Sequence, residues 1–192
     1  MRDCRPLGYI AATIRATIGR HPGAPRWDVS ITPQVVLSAA VIGIGASLLM
    51  DAWNLLLKRV FGIPSLNYCM LGRWFLHLPG GRFVHTRIAA SPPRRFECSV
   101  GWLVHYTIGV ALALVFLLIA QEGWLARPTL LPALLYGILT VVFPLFILQP
   151  SLGLGIASAK SPKPAQARLK SLGTHIVFGV GLYLCALALS RI

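Results

Sequence analysis

Four stretches of this chain, residues 35–57, 101–120, 129–148 and 172–190, run for about twenty residues with almost no charge. About twenty apolar residues in a helix cross the hydrocarbon core of a bilayer. In lipid every backbone polar group needs a partner inside the protein, so only helices and closed barrels can cross. A barrel would show alternating ten-residue strands, and no such alternation runs through the sequence. The expected fold is therefore an all-α membrane protein, a four-transmembrane-helix up-down bundle. Charged residues make up 12% of the chain, about half of the roughly 25% usual in soluble domains.

The connections give the bundle a direction. Residues 58–100 and 149–171 lie at one end and carry eleven Lys and Arg. The other end has seven, five of them within residues 1–32 and the others Arg127 and Arg191. Basic loops stay on the cytoplasmic side. This predicts a multi-pass protein of a bacterial inner membrane with both long connections in the cytoplasm. The expected partners are the lipid bilayer and a second copy in a homo-oligomer, because four helices rarely enclose a path alone. The net charge of +13 is explained by these loops; no basic helix with interleaved aromatics suggests nucleic acid.

Two domains are expected, an N-terminal extension over 1–32 and a four-helix membrane domain over 33–192. In the extension Ile10, Ile14 and Ile18 fall on one helical stripe, as in an interfacial helix; the alternative is a stretch ahead of the native start. The connection 58–100 is too long and too aromatic for a disordered loop. It holds Phe61, Tyr68, Trp74, Phe75, Phe83 and Phe96, and reads as a cytoplasmic cap of loops and short helices. Asn67, Arg73, Arg82 and His85 are its candidate contacts to anionic headgroups or an anionic ligand. Cys69 and Cys98 fall on this cytoplasmic side, so no disulfide is expected between them.

Ionisable residues inside spans are costly and mark function by default. Asp51 is the one acid in a predicted span, six residues before its end and so roughly 9 Å deep. Asn54 follows one turn later. His105 and His175 open the second and fourth helices, and Gln149 closes the third. Asp51, Asn54, His105, Gln149 and His175 thus share the cytoplasmic half and form a candidate polar cluster. Each His has a Gly four residues on, and 105–114 matches 175–184 at five of ten positions. Gly43-Ile44 and Gly137-Ile138 echo each other in the remaining helices, as in a duplicated hairpin. Pro144 should bend the third helix near its end.

No metal-ligand spacing, nucleotide-binding loop or G-x-S-x-G elbow occurs, and no cofactor is assigned. The leading expectation is a transporter-like protein. The alternatives are a membrane-embedded enzyme using His/Asp chemistry, with or without a metal, and a structural or interaction subunit.

A string of motifs narrows the family. Met50-Asp51-Ala52-Trp53-Asn54 is followed by Phe61-Gly62-Ile63-Pro64-Ser65-Leu66-Asn67-Tyr68, Gly72-Arg73-Trp74 and Gly81-Arg82-Phe83-Val84-His85. Then come Gly101-Trp102, His105-Tyr106, Pro128-Thr129-Leu130, Gln149-Pro150 and Ala167-Arg168-Leu169. Over about residues 38–188 this order resembles a family of small bacterial inner-membrane proteins known as a domain of unknown function. The resemblance implies that residues 1–32 precede the shared domain and that cap residues matter as much as helical ones. It implies no activity and no cofactor.

Overall fold

The computed structural model describes residues 31–120 and 122–191; the expected interfacial stripe in residues 10–18 lies outside them. All regular structure among the described residues is helical. Helix α1 is Pro33–Phe61, the cap helix α2 is Tyr68–His77, and α3 is Glu97–Ala120. A short α4, Glu122–Ala126, leads to α5, Leu130–Ser151, and α6 is Pro164–Leu189. Helices α1, α3, α5 and α6 are long and apolar enough to cross a membrane.

The ends of α1 follow from its sequence. Thr32 accepts from the Val35 N–H at 3.3 Å, with Pro33 in the first turn where its missing donor costs nothing. Gly62 stops it in the left-handed region at φ 65°. Five expected boundaries move outward, two of them the ends of α1, at Pro33 and Phe61 rather than 35 and 57. Helix α3 starts at Glu97 rather than residue 101, α6 at Pro164 rather than 172, and α5 ends at Ser151 rather than 148. Hydropathy marks the stretch that can sit in lipid, whereas helical hydrogen bonds continue into polar turns beyond it.

Packing is set by glycine. A Cβ on Gly43 would lie 2.7 Å from the Gly109 carbonyl oxygen, and one on Gly137 would lie 2.6 Å from the Gly179 Cα. The sequence echo is thus a structural one. Gly43 meets Gly109 where α1 crosses α3, and Gly137 meets Gly179 where α5 crosses α6. Helices α1 and α6 pack together in the middle, so the helices stand in the order α3, α1, α6, α5. Ala39, Ile42, Ala46, Ala113, Phe116, Phe178, Leu182 and Ala186 form the core at the end away from the cap.

Helices α3 and α5, the two outer members, touch sparingly. Near their short connection Tyr136 donates to the Leu112 carbonyl at 2.8 Å and its ring lies 5.0 Å from that of Phe116. Pro144 has no N–H to give the preceding turn, and the helix widens into a π-helical turn over Pro144–Leu148. Toward the cap the two helices leave a wedge between them.

The cap is ordered. Helix α2 crosses the first turns of α3 at Gly72 and Gly101, where either Cβ would collide with the other helix's backbone. The expectation that Cys69 and Cys98 stay unpaired is corrected: the two are joined by a disulfide, with Cα atoms 3.8 Å apart. Compartment says nothing about distance. Each cysteine stands three residues before one of the crossing glycines, which turns both toward the crossing. The 29-residue separation of the pair corresponds to about 3–4 kcal/mol of loop-closure stabilisation. Farther along, the His85 and Ile88 N–H groups donate to the Ser151 and Leu152 carbonyls at 2.9 and 3.1 Å, tying the cap to the end of α5.

Candidate functional site

The five candidate residues of the helices do not form one cluster. Asp51 and His105 come together, with His105 Nε2 3.4 Å from Asp51 Oδ1. Two tyrosines complete this group. Tyr68 donates to Asp51 Oδ1 at 2.6 Å and Tyr106 to Oδ2 at 3.0 Å, so both carboxylate oxygens are satisfied. Tyr68 Oη also lies 3.4 Å from His105 Nε2. Burial, and then the carboxylate it donates to, push the Tyr68 phenol well above its usual range. Trp102 closes the aromatic side, its ring 4.3 Å from that of Tyr68. Position 68 sits outside every apolar run, so hydropathy gave no reason to single it out. The signal available was the family string, which contains both Tyr68 and Tyr106.

Asn54, Gln149 and His175 make separate pairs across α1, α5 and α6. Thr174 donates to Asn54 Oδ1 at 3.4 Å, and Asn54 Nδ2 donates to the Met50 carbonyl at 3.0 Å. Gln149 Nε2 donates to Ser171 at 3.2 Å. Thr140 Oγ1 lies 2.6 Å from the Gly137 carbonyl and 2.8 Å from His175 Nδ1. The hydroxyl has one proton, and the carbonyl can only accept it. His175 Nδ1–H is therefore the donor to Thr140.

What unites the two groups is the wedge. A cavity of about 880 Å³ runs between α3 and α5, bounded also by α1, α2 and α6. Tyr68, His105, Asn54, Gln149, Thr140 and His175 all line it, while Asp51 stands behind Tyr68 and His105. Its walls are mostly apolar, and its size is that of a small-molecule site. Ile108, Ala111, Phe143 and Ile147 line it and are exposed on the apolar flank of the bundle, so it opens sideways. Phe61, Pro64, Ser65, Lys163 and Gln166 form an exposed rim at the cap end. Ser47 Oγ, Gln149 Oε1 and Ser161 Oγ lie in the lining, buried and without a partner.

The cap candidates are placed differently from one another. Asn67 caps α2, accepting from the Cys69 N–H at 3.0 Å. Arg73 is buried and used up by its own chain. Its guanidinium forks onto Glu97 at 2.8 and 2.7 Å and reaches the carbonyls of Ile88, Ala89 and Ser91. That pairing raises the Arg73 pKa and leaves no donor face for an outside anion. His85 is also buried, with Nδ1 3.0 Å from Ser91 Oγ and its ring 5.2 Å from that of His77. Burial first, and then His77, depress its pKa. Arg82 is exposed, as is Asn67. Among the described residues no three His, Cys, Asp or Glu side chains converge as a metal site.

Residues 40–189 match the family model described as "Protein of unknown function (DUF2938)". No curated protein and no solved structure matches the chain.

Proposed function

The chain belongs to the DUF2938 family, a membership that carries no activity, and we propose its function from the site itself: it binds an amphipathic, lipid-like molecule in the wedge between α3 and α5. The observation that carries this reading is the set of unpartnered polar atoms, Ser47 Oγ, Gln149 Oε1 and Ser161 Oγ, inside an otherwise apolar cavity that opens sideways. An unsatisfied buried polar group costs about 1–3 kcal/mol, and a ligand with a few polar groups on an apolar body removes that cost. The tail lies against Ile108, Ala111, Phe143 and Ile147; the polar end points to the cap. The protein sits in a bacterial inner membrane with the cap in the cytoplasm. Eleven basic residues in the connections at that end, against seven at the other with five of those in residues 1–32, support the orientation.

One observation favours chemistry on the bound molecule. His105 lines the wedge and touches both Asp51 and Tyr68, which gives a proton-handling group at the wall. Transport needs a path through the far end, and there Ile42, Ala46 and Leu182 are packed with no exposure.

The test is electron spin resonance of doxyl-stearate added to the purified chain in lipid nanodiscs. Wild type should show an immobilised component that Ala111→Trp, which fills the wedge, removes. Equal spectra from the two proteins would overturn the reading.

A further inference from the structure

We propose that the Cys69–Cys98 bond is a reversible redox latch that sets how firmly α2 holds the wall of the wedge. The first support is place. Cys69 follows Tyr68, the residue that donates to Asp51 and lines the wedge, and Leu71 and Trp74 of the same helix continue that wall. The bond ties this wall segment to α3, the helix that carries His105. The second support is access. Cys98 is exposed, in the first turn of α3, close in sequence to the exposed Arg94 and Arg95. Glu97, the neighbouring residue and an acid, is taken up by Arg73, so it does not stand as a free carboxylate against an incoming thiolate. The third is compartment. With the cap in the cytoplasm, as proposed above, this pair meets the thiol systems that keep most cysteines reduced, where disulfides serve as transient or sensing elements.

The chemistry is thiol–disulfide exchange. A dithiol, or two small thiols, supplies two electrons and two protons. The Sγ–Sγ bond breaks, Cys69 and Cys98 become thiols, and the donor leaves as its own disulfide. The Gly72–Gly101 crossing and the Arg73–Glu97 pair remain, so α2 loosens rather than departs. Tyr68 is then freer to leave Asp51, and the wall yields.

Hydrogen exchange of the full chain in nanodiscs, in oxidised and reduced dithiothreitol buffers, reads the latch directly and needs no ligand. Reduction should speed exchange in residues 68–77 by roughly tenfold while α6 stays unchanged, and reoxidation should restore it. The double variant Cys69→Ser/Cys98→Ser should match the reduced protein in both buffers. Unchanged exchange in 68–77 on reduction, or a double variant that matches the oxidised protein, would overturn the latch. Trapping thiols with a maleimide in intact cells tests the compartment. The trapped fraction should rise with added reductant and fall with diamide. A pair that stays oxidised under both would also overturn the proposal and place the cap on the oxidising side, leaving the binding reading of the wedge standing.

Discussion

The α1–α3 and α5–α6 hairpins share a frame and differ in what is built on it. Each crosses at a pair of glycines, Gly43 with Gly109 and Gly137 with Gly179, and each second helix carries a His one turn before its Gly. In the α5–α6 hairpin that His pairs with Thr140 of the facing helix, a neutral contact that ties two helices together. In the α1–α3 hairpin it meets Asp51, and the long connection folds back as α2 to bring Tyr68 onto the same carboxylate. Glycine packing fixes the positions, and the inserted cap decides which hairpin gathers a carboxylate, a His and a Tyr.

The comparison can be broken first at the cap, which only one hairpin possesses. Arg73→Ala leaves Glu97 without its cation and removes the Arg73 bonds to the Ala89 and Ser91 carbonyls, and losing one partner of such a buried pair costs about 3–5 kcal/mol. Thermal unfolding followed by tyrosine and tryptophan signals should show the loss, with exchange rising in residues 68–96 before α6. The shared frame is tested next by Gly109→Val and Gly179→Val. Both force side-chain volume against a neighbouring backbone or hydroxyl, and overpacking costs about 1–3 kcal/mol or more. Similar losses in denaturation midpoint would support the equivalence, and a silent Gly109→Val would break it.

A finer contrast separates the two histidine settings. Tyr68→Phe removes a hydrogen bond to a carboxylate, worth about 1.5–3 kcal/mol, and Thr140→Val one between neutral groups, about 0.5–1.5 kcal/mol. Equal costs would mean that Asp51 is not the charged partner drawn here. The smallest effect is one of pH. The folded-state pKa of His85 lies below its unfolded value of about 6.5, so the unfolded cap binds the proton more readily. The stability this neutral ring contributes is complete above about pH 6.5 and is lost as pH falls toward the lowered value. The protection of residues 85–91, taken relative to the intrinsic exchange rate at each pH, should therefore fall on acidification from pH 7.5 to 5.5, and His85→Gln should flatten the response.

The sequence made the frame legible because lipid imposes one simple rule on it. The four spans, the His-x-x-x-Gly echo and the end of the bundle that holds the polar residues could all be read from hydropathy and spacing. That Pro144 would disturb the helix was visible too, though not that the disturbance is a widened turn. The site was less legible, for a physical reason. Asp51, Asn54, His105, Gln149 and His175 could be placed at one depth, but depth does not say which faces meet. What joins Asp51 and His105 depends on α2, a segment without a spanning signature, whose crossing with α3 depends on Gly72 and Gly101 fitting backbone to backbone. The same crossing produced the disulfide that a compartment argument had set aside. Arg73 shows the limit of reading charge alone, since its forked contact with Glu97 builds the cap instead of presenting a free cation.

The central claim is that the wedge holds an amphipathic molecule, and native mass spectrometry of the protein extracted from its membrane tests it most directly. Wild type should retain a bound lipid-like mass at one per chain, and Ala111→Trp should lose it while keeping the wild-type unfolding temperature. Wild type that flies without a bound mass, or an Ala111→Trp variant that keeps the same one, would contradict the account.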